Sequence, residues 1–465
     1  MKIVGIKSGA LLQRDTETEA CKVRLYCEFD AMPHISYGAL ENESEGIWIL
    51  KDIPVGGPYK IEISDNTSKQ TFTNLFVGDL WILAGQSNME GAGCETEKTD
   101  YESKNASDSI RCYYLDGRWD KAVPVTHEPW LSPDECIGGA WKKYRKESVW
   151  KTENPGVYNG KPVRKRAVGP GYYFAKRMYE ITGIPQAVVA CAKGGASLDE
   201  WSKSTEGGLY SVMLRRFRET GSCVRGIFWD QGESEAHAGN DFTGKMLRFV
   251  SDIREDMNNS MLPFVQVQIA KYAFAGYNNP ESGIEWSRIK EEQRLLEYKI
   301  PFLTTVSAAD ADYDDLIHYS SEFQEKMGVR GANAMAKLIG AGGADVPVPY
   351  KITYRKNEMY SPFFYIYDIH YKNVNNLMSD GRPSGFMVLF PDCNDFTKIF
   401  DPHFGVQKIS LNKNTVTLYT EVKENPEEAM ICYGFGHMAY CNITTDTGFS
   451  IPAMGPIKVK EMCES

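Results

Sequence analysis

GDLWILAGQSNMEG, residues 78–91, sets five apolar residues in a row, Leu80 to Ala84, between a Gly-Asp and a Gly-Gln pair. A run this short, with no polar residue on either face, reads as a strand covered on both sides, the kind found in parallel sheets flanked by helices. Ser87 then lies just past the strand's carboxyl end, the edge at which open α/β sheets bind ligands. Serine also closes turns through local hydrogen bonds alone, so its position does not by itself make it a nucleophile.

Further runs of the same kind follow at 110–114, 187–192, 224–229, 264–269 and 303–306. Between them apolar residues recur with helical spacing, as in Phe174, Met178 and Ile181, or Phe242, Met246, Phe249 and Ile253. The first of these helices is expected to stop at Gly183, with Pro185 behind it. Another starts near Ser320 and ends around Gly340. Repeated strand–helix units predict an α/β fold, a mainly parallel sheet with helices on both faces.

Upstream, CKVRLYCEF and YKIEIS alternate with period two and predict half-buried antiparallel strands. Downstream of Gly343, PFFYIYDI, FMVLF and NTVTLYTE return to short β-rich runs separated by turn residues. The expected organisation is an N-terminal β-domain over 1–76, a catalytic α/β domain over 77–343 and a C-terminal β-domain over 344–465. Residues 98–169, polar and aromatic with few regular periods, are expected to decorate the sheet's active edge.

The chain has 465 residues, 42% hydrophobic and 25% charged, with a formal net charge of -10. That acidity argues against nucleic acid or an anionic membrane as the main partner and favours a small neutral substrate. The 11 cysteines are scattered, without a C-x-x-C pair or zinc-like spacing, so reduced thiols, no metal and no cofactor are expected. MKIVGIKSGALLQRDTE interrupts its apolar residues with Lys7 and Arg14 and does not read as a secretory leader, so the expected location is cytoplasmic. The sequence is silent on oligomeric state.

Acyl transfer by a serine needs a base, a group that orients the base, and donors for oxyanion charge. Among seven histidines, His318 in DYDDLIHYSS stands just beyond the last buried run, three residues after Asp315. On a turn, that spacing can bring a carboxylate to Nδ1 and leave Nε2 for a serine. Two other strand ends add donors: Gly194 and Gly195 in CAKGGAS, whose backbone can approach an anion, and the side-chain amide of Gln231 in WDQGES. Each turn is ordinary alone; together they supply nucleophile, base, orienter and donors.

GDLWILAGQSNMEG, CAKGGASLDEW, WDQGESEA and DDLIHYSSEFQEKMG, in this order, resemble the SGNH (GDSL-like) hydrolases, in particular the sialate O-acetylesterase-like carbohydrate esterases. The resemblance implies an α/β/α sandwich and a serine esterase that removes O-acetyl groups from sugars. It makes Ser87 the nucleophile, His318 the general base and acid, and Asp315 its orienter. Its oxyanion donors would be the Ser87 N–H, an N–H at Gly194 or Gly195, and Gln231 where the name-giving pattern has asparagine. Many relatives carry an aromatic where Asp230 stands. Trp201, Trp229, Tyr272 and His127 are expected to line the sugar pocket, since flat apolar faces suit carbohydrate rings. Alternative readings are a short-chain lipase or thioesterase of the same fold, and a non-catalytic carbohydrate-binding relic. The α/β-hydrolase elbow is disfavoured because GQSNM lacks its second glycine.

Overall fold

The apolar run Leu80 to Ala84 is fully buried, and it is the end of a longer strand, Lys69–Gly85. Its first half alternates, with Phe72 buried between exposed Thr71 and Thr73, and pairs antiparallel with Gly56–Ser64. Its second half pairs in parallel with Gln186–Ala190, Asp79 opposite Gln186 and Leu83 opposite Ala190. On the way, Phe76, Val77 and Gly78 run parallel to Leu11–Asp15. The expected domain boundary at 76/77 thus falls inside one continuous strand. Gly78 does not interrupt it; a Cβ there would sit 2.0 Å from the Pro185 carbonyl oxygen, so only glycine admits the next segment.

The computed structural model describes residues 2–139, 157–158, 161–162, 166–273, 280–358, 364–389, 405–422 and 425–463. Of the expected edge decoration within 98–169, residues 140–156, 159–160 and 163–165 lie outside them.

Two compact units emerge. The first comprises Met1–Trp229, Met246–Phe264 and Ser320–Gly342. Its parallel core places Ile110–Tyr113 beside Gln186–Ala190 and that strand beside Lys69–Gly85, whose other neighbours include Gly226–Asp230. Arg14 grips the core strand through a bidentate pair to buried Asp79 at 2.9 and 3.1 Å, and the Gln13 side chain accepts the Leu80 N–H at 2.7 Å. A planar guanidinium matched to a carboxylate in this way compensates the charge it buries.

Helix Gly171–Thr182 ends at Gly183 in the left-handed region, as its sequence predicts. It buries Phe174 against Trp81 and Phe228, with ring centroids 5.5 and 5.0 Å apart. Helix Ser321–Leu338 begins at Ser320, whose hydroxyl accepts the Phe323 N–H, an N-cap that satisfies one orphan donor. It comes close to the preceding helix through Gly328, where a Cβ would stand 2.4 Å from the Pro170 carbonyl oxygen.

The second unit comprises Asp230–Lys245, Val265–Tyr319 and Gly343–Ser465. Strand Phe264–Gln268 pairs with Leu303–Ser307. The expected C-terminal strands form Val348–Lys356, Tyr365–Lys372, Thr415–Thr420 and Val406–Asn412 in that sheet order, with a second sheet of Phe386–Leu389, Met430–Tyr433 and Met454–Lys458. Their inward faces, among them Ile352, Tyr367, Ile369, Val416, Leu418 and Ile431, make one apolar cluster. Residues 344–465 and 265–319 share this unit because buried polar groups join them. The Gln268 amide both donates to and accepts from the Ala453 backbone at 2.8 Å. Lys290, buried on helix Pro280–Leu296, donates to the carbonyls of Gly434 and Gly436 at 2.8 and 2.9 Å. Among the described residues no helix is long and apolar enough to cross a membrane. The fold class expected from the sequence, a mainly parallel α/β core with β-sheets before and after it, is the one observed.

Candidate active site

In the first unit the core strand leaves through Gly85, at φ 132, and an extended Gln86 before turning into the short helix Ser87–Glu90. The turn closes on itself: the Glu90 N–H donates to the Gln86 carbonyl at 2.8 Å and the Gly91 N–H to that of Ser87 at 2.9 Å. Gln86, Asn88, Met89 and Glu90 are buried, and Ser87 alone in that stretch keeps partial access. Gly91 is required where it stands, with φ 105 and the Ala167 carbonyl oxygen 2.5 Å from any Cβ.

The neighbouring strand delivers Gly194 to the same place. The Cys191 N–H donates to the Leu83 carbonyl and the Lys193 N–H to that of Gly85, which ties the glycine turn to the serine turn. A Cβ on Gly194 would lie 2.5 Å from Glu90 Oε2 and 3.8 Å from Ser87 Cβ, so backbone, serine and a buried carboxylate converge there. Gly195 takes φ +71 and faces open space. Glu200 braces this turn, accepting from Lys193 Nζ at 2.8 Å and from the Ser197 N–H at 3.0 Å.

In the second unit, residues 313–319 fold into a tight loop closed by a bridge between Tyr313 and Tyr319. Asp315 Oδ1 accepts the N–H groups of Ile317 and His318, each at 2.8 Å, and Oδ2 meets His318 Nδ1 at 2.7 Å. Partial burial alone would raise the Asp315 carboxyl. The His318 hydrogen bond and the two backbone donors outweigh it and hold the group well below the usual carboxylate range. Asp315 therefore stays ionised, which places the proton of a neutral His318 on Nδ1 and leaves Nε2 as a base. The two side chains keep 27% and 26% of their surface, enough for a reactant to reach the imidazole.

Gln231 is fully buried in this unit, and its amide nitrogen donates to Glu235 Oε1 at 3.1 Å. Its main-chain carbonyl accepts from Gln293 Nε2 at 2.9 Å, and a Cβ on Gly232 would meet that same nitrogen at 2.8 Å. Asp230 beside it is fully buried, with no hydrogen-bond partner for either carboxyl oxygen among the described residues. Burial, reinforced by the charge of Glu233, pushes its pKa well above the ordinary value.

Three of the four expected sugar-pocket residues lie elsewhere. Trp201 and Trp229 are fully buried and pack edge to face at 5.2 Å, with Phe249 4.6 Å from Trp229; they are core. His127 is buried too, its Nε2 accepting the Ala192 N–H at 3.2 Å, and burial together with Arg216 pushes its pKa down to about 3. It is a neutral brace for the strand leading to Gly194. Aromatic residues and a histidine beside a sheet edge carry the same letters whether they face core or cleft, which is why the sequence misplaced them. Tyr272 keeps partial access and stacks on Trp286 at 5.5 Å. Sequence reasoning missed Glu90, Glu235 and Gln293; the first two stand within the motif stretches themselves, three residues after Ser87 and four after Gln231.

A family model described as carbohydrate esterase, sialic acid-specific acetylesterase matches residues 77–337. A probable carbohydrate esterase of Arabidopsis thaliana is 28% identical over 268 residues, covering 55% of this chain and 89% of that one. Human sialate O-acetylesterase is 20% identical over 257 residues, 48% of this chain and 46% of its own length, so the match spans about half of the human protein. A solved carbohydrate acetylesterase from Xanthomonas citri shares the fold, with a TM-score of 0.69 over 97% of this chain and 98% of that one at 17% identity. The family match runs through the Ser87, Gly194, Gln231 and His318 turns alike, and the chain belongs to the sialic acid-specific acetylesterase family of carbohydrate esterases, ester hydrolases that act on acetylated carbohydrate.

Proposed function

We propose that the chain removes O-acetyl groups from sugars by serine catalysis through an acyl-enzyme, with Ser87 as nucleophile. Ser87 Oγ attacks the acetyl carbonyl while His318 Nε2 takes its proton. The Ser87 N–H, a backbone N–H at Gly194 or Gly195 and the Gln231 side-chain amide receive the oxyanion. The imidazolium, steadied by ionised Asp315, then protonates the departing sugar oxygen. Water repeats the sequence on the acetyl-serine and releases acetate.

The observation that carries this reading is the 2.7 Å Asp315–His318 bond, made by a carboxylate that two backbone N–H groups hold in place. A surface ion pair has no need of that restraint; a general base does. Proton NMR of acetate release from acetylated sialosides, xylo-oligosaccharides and manno-oligosaccharides tests it. Ser87→Ala and His318→Ala should each lose roughly 10⁴-fold or more in kcat. A Ser87→Ala enzyme retaining a tenth of the wild-type rate removes the acyl-enzyme from consideration.

A further inference from the structure

The loop that carries Asp315 and His318 is stitched to two other segments of its unit. The Tyr313 hydroxyl donates to the Lys271 carbonyl at 2.8 Å, and the Ala273 N–H donates to the Leu316 carbonyl at 2.7 Å. The Tyr272 N–H donates to the His437 carbonyl at 2.5 Å. Residues 271–273, 313–318 and 437–440 therefore form one ledge around the imidazole's own loop. Lys290 supports it from beneath by holding the carbonyls of Gly434 and Gly436.

This ledge exposes large apolar side chains. Leu316, Met438 and Tyr440 keep 46%, 54% and 56% of their surface. A single exposed apolar residue means little, but three on one ledge beside an acid–base histidine make a surface with a use. Lys271 completes it. Its ammonium lies 5.0 Å from the Tyr313 ring centre and 5.9 Å from that of Tyr440, within the range of cation–π attraction, and it makes no ion pair among the described residues. A phenol face lies beside a cation with donors to spare.

We propose that Tyr440, with Met438 and Lys271, is a subsite for a second sugar ring, so that the enzyme acts on acetylated oligosaccharides in preference to acetylated monosaccharides. The proposal rests on the serine-esterase reading above. In that reaction His318 hands its proton to the sugar oxygen that leaves, so the acetylated ring lies against the imidazole. Tyr440 meets that loop through Lys271, whose ammonium lies 5.0 Å from the Tyr313 ring centre and 5.9 Å from that of Tyr440, a step along the ledge from the imidazole. A neighbouring ring can lay its C–H face on the phenol and offer hydroxyls to the ammonium. The C-terminal β-region thereby contributes directly to substrate choice.

The test compares kcat/KM for acetate release from acetylated xylotetraose and mannotetraose with that from acetylated xylose and mannose, using 4-nitrophenyl acetate as a small ester. Wild type should favour at least one tetrasaccharide over its monosaccharide by about fivefold or more. Tyr440→Ala should cut that preference about fivefold, mainly through KM, and Lys271→Met should lower it as well. Tyr440→Phe, which keeps the ring, should restore it, and Tyr101→Ala, an exposed tyrosine of the other unit, should leave it at the wild-type value. Equal use of both sugar lengths by wild type, or a preference that Tyr440→Ala moves by less than twofold, overturns the subsite while 4-nitrophenyl acetate turnover still upholds the esterase. Failure of wild type to cleave 4-nitrophenyl acetate or any acetylated sugar overturns both.

Discussion

Asp315 and Asp230 show how one residue type is driven in opposite directions by its neighbours. Asp315 accepts hydrogen bonds from His318 and two backbone N–H groups, and its pKa is held down; Asp230 accepts none among the described residues, and burial drives its pKa up. Replacing Asp315 by Asn removes the charge that selects the His318 tautomer, and kcat should fall by roughly 10²–10⁴ with the fold retained, as measured by acetate release and circular dichroism. For Asp230 the readout is stability. Above about pH 4 the unfolded chain sheds this proton while the folded chain keeps it, so the native state loses ground as pH rises toward the raised native pKa. Asp230→Asn has no proton to lose, and its melting-temperature advantage over wild type should widen as pH rises above about 4; an advantage that narrows contradicts the raised pKa. The Asp315–His318 pairing was legible in the sequence because both partners sit in one short loop. The burial of His127, Trp201 and Trp229 was not, because it depends on side chains such as Phe249 and Arg216 that lie far away in the chain.

Close approaches between elements rest on glycine. In helix Ser321–Leu338, Gly328→Ala gains about 1 kcal/mol of helix propensity but drives a methyl to 2.4 Å from the Pro170 oxygen and 2.6 Å from Tyr173 Cβ. Backbone cannot yield cheaply, so overpacking at about 1–3 kcal/mol wins and the melting temperature should fall. At the active turn, Gly194→Ala pushes on the buried Glu90 carboxylate, and turnover should drop about tenfold or more while the melting temperature moves less than in Gly328→Ala; equal activity in Gly194→Ala and wild type excludes the Gly194 backbone from the oxyanion site. The core strands were legible as unbroken apolar runs because both of their faces are covered. The leading half of Lys69–Gly85 was not, since Thr71, Thr73 and Asn74 face solvent and mimic a loop.

At the scale of the whole molecule, the β-rich C-terminal region is part of the unit that carries His318. Removing residues 344–465 takes from Gln268 and Lys290 both the acceptors they use and the chain that covers them, leaving a face of the unit built for a partner it no longer has. The shortened chain should fail to express in soluble form; a monodisperse, folded 1–343 fragment would refute this. Composition marked the change to β-structure near residue 345, yet it could not show the joins, because the contact between Gln268 and Ala453 spans 185 residues and leaves no local pattern. The strand Lys69–Gly85 makes a comparable join in the first unit. Its seventeen residues stay paired from end to end, with a bulge midway where Asn74 takes φ 56 and the register against Gly56–Ser64 shifts. Tension applied to the N-terminal sheet, as in an optical trap, should therefore be felt at the Ser87 turn, and the two should rupture as a single event.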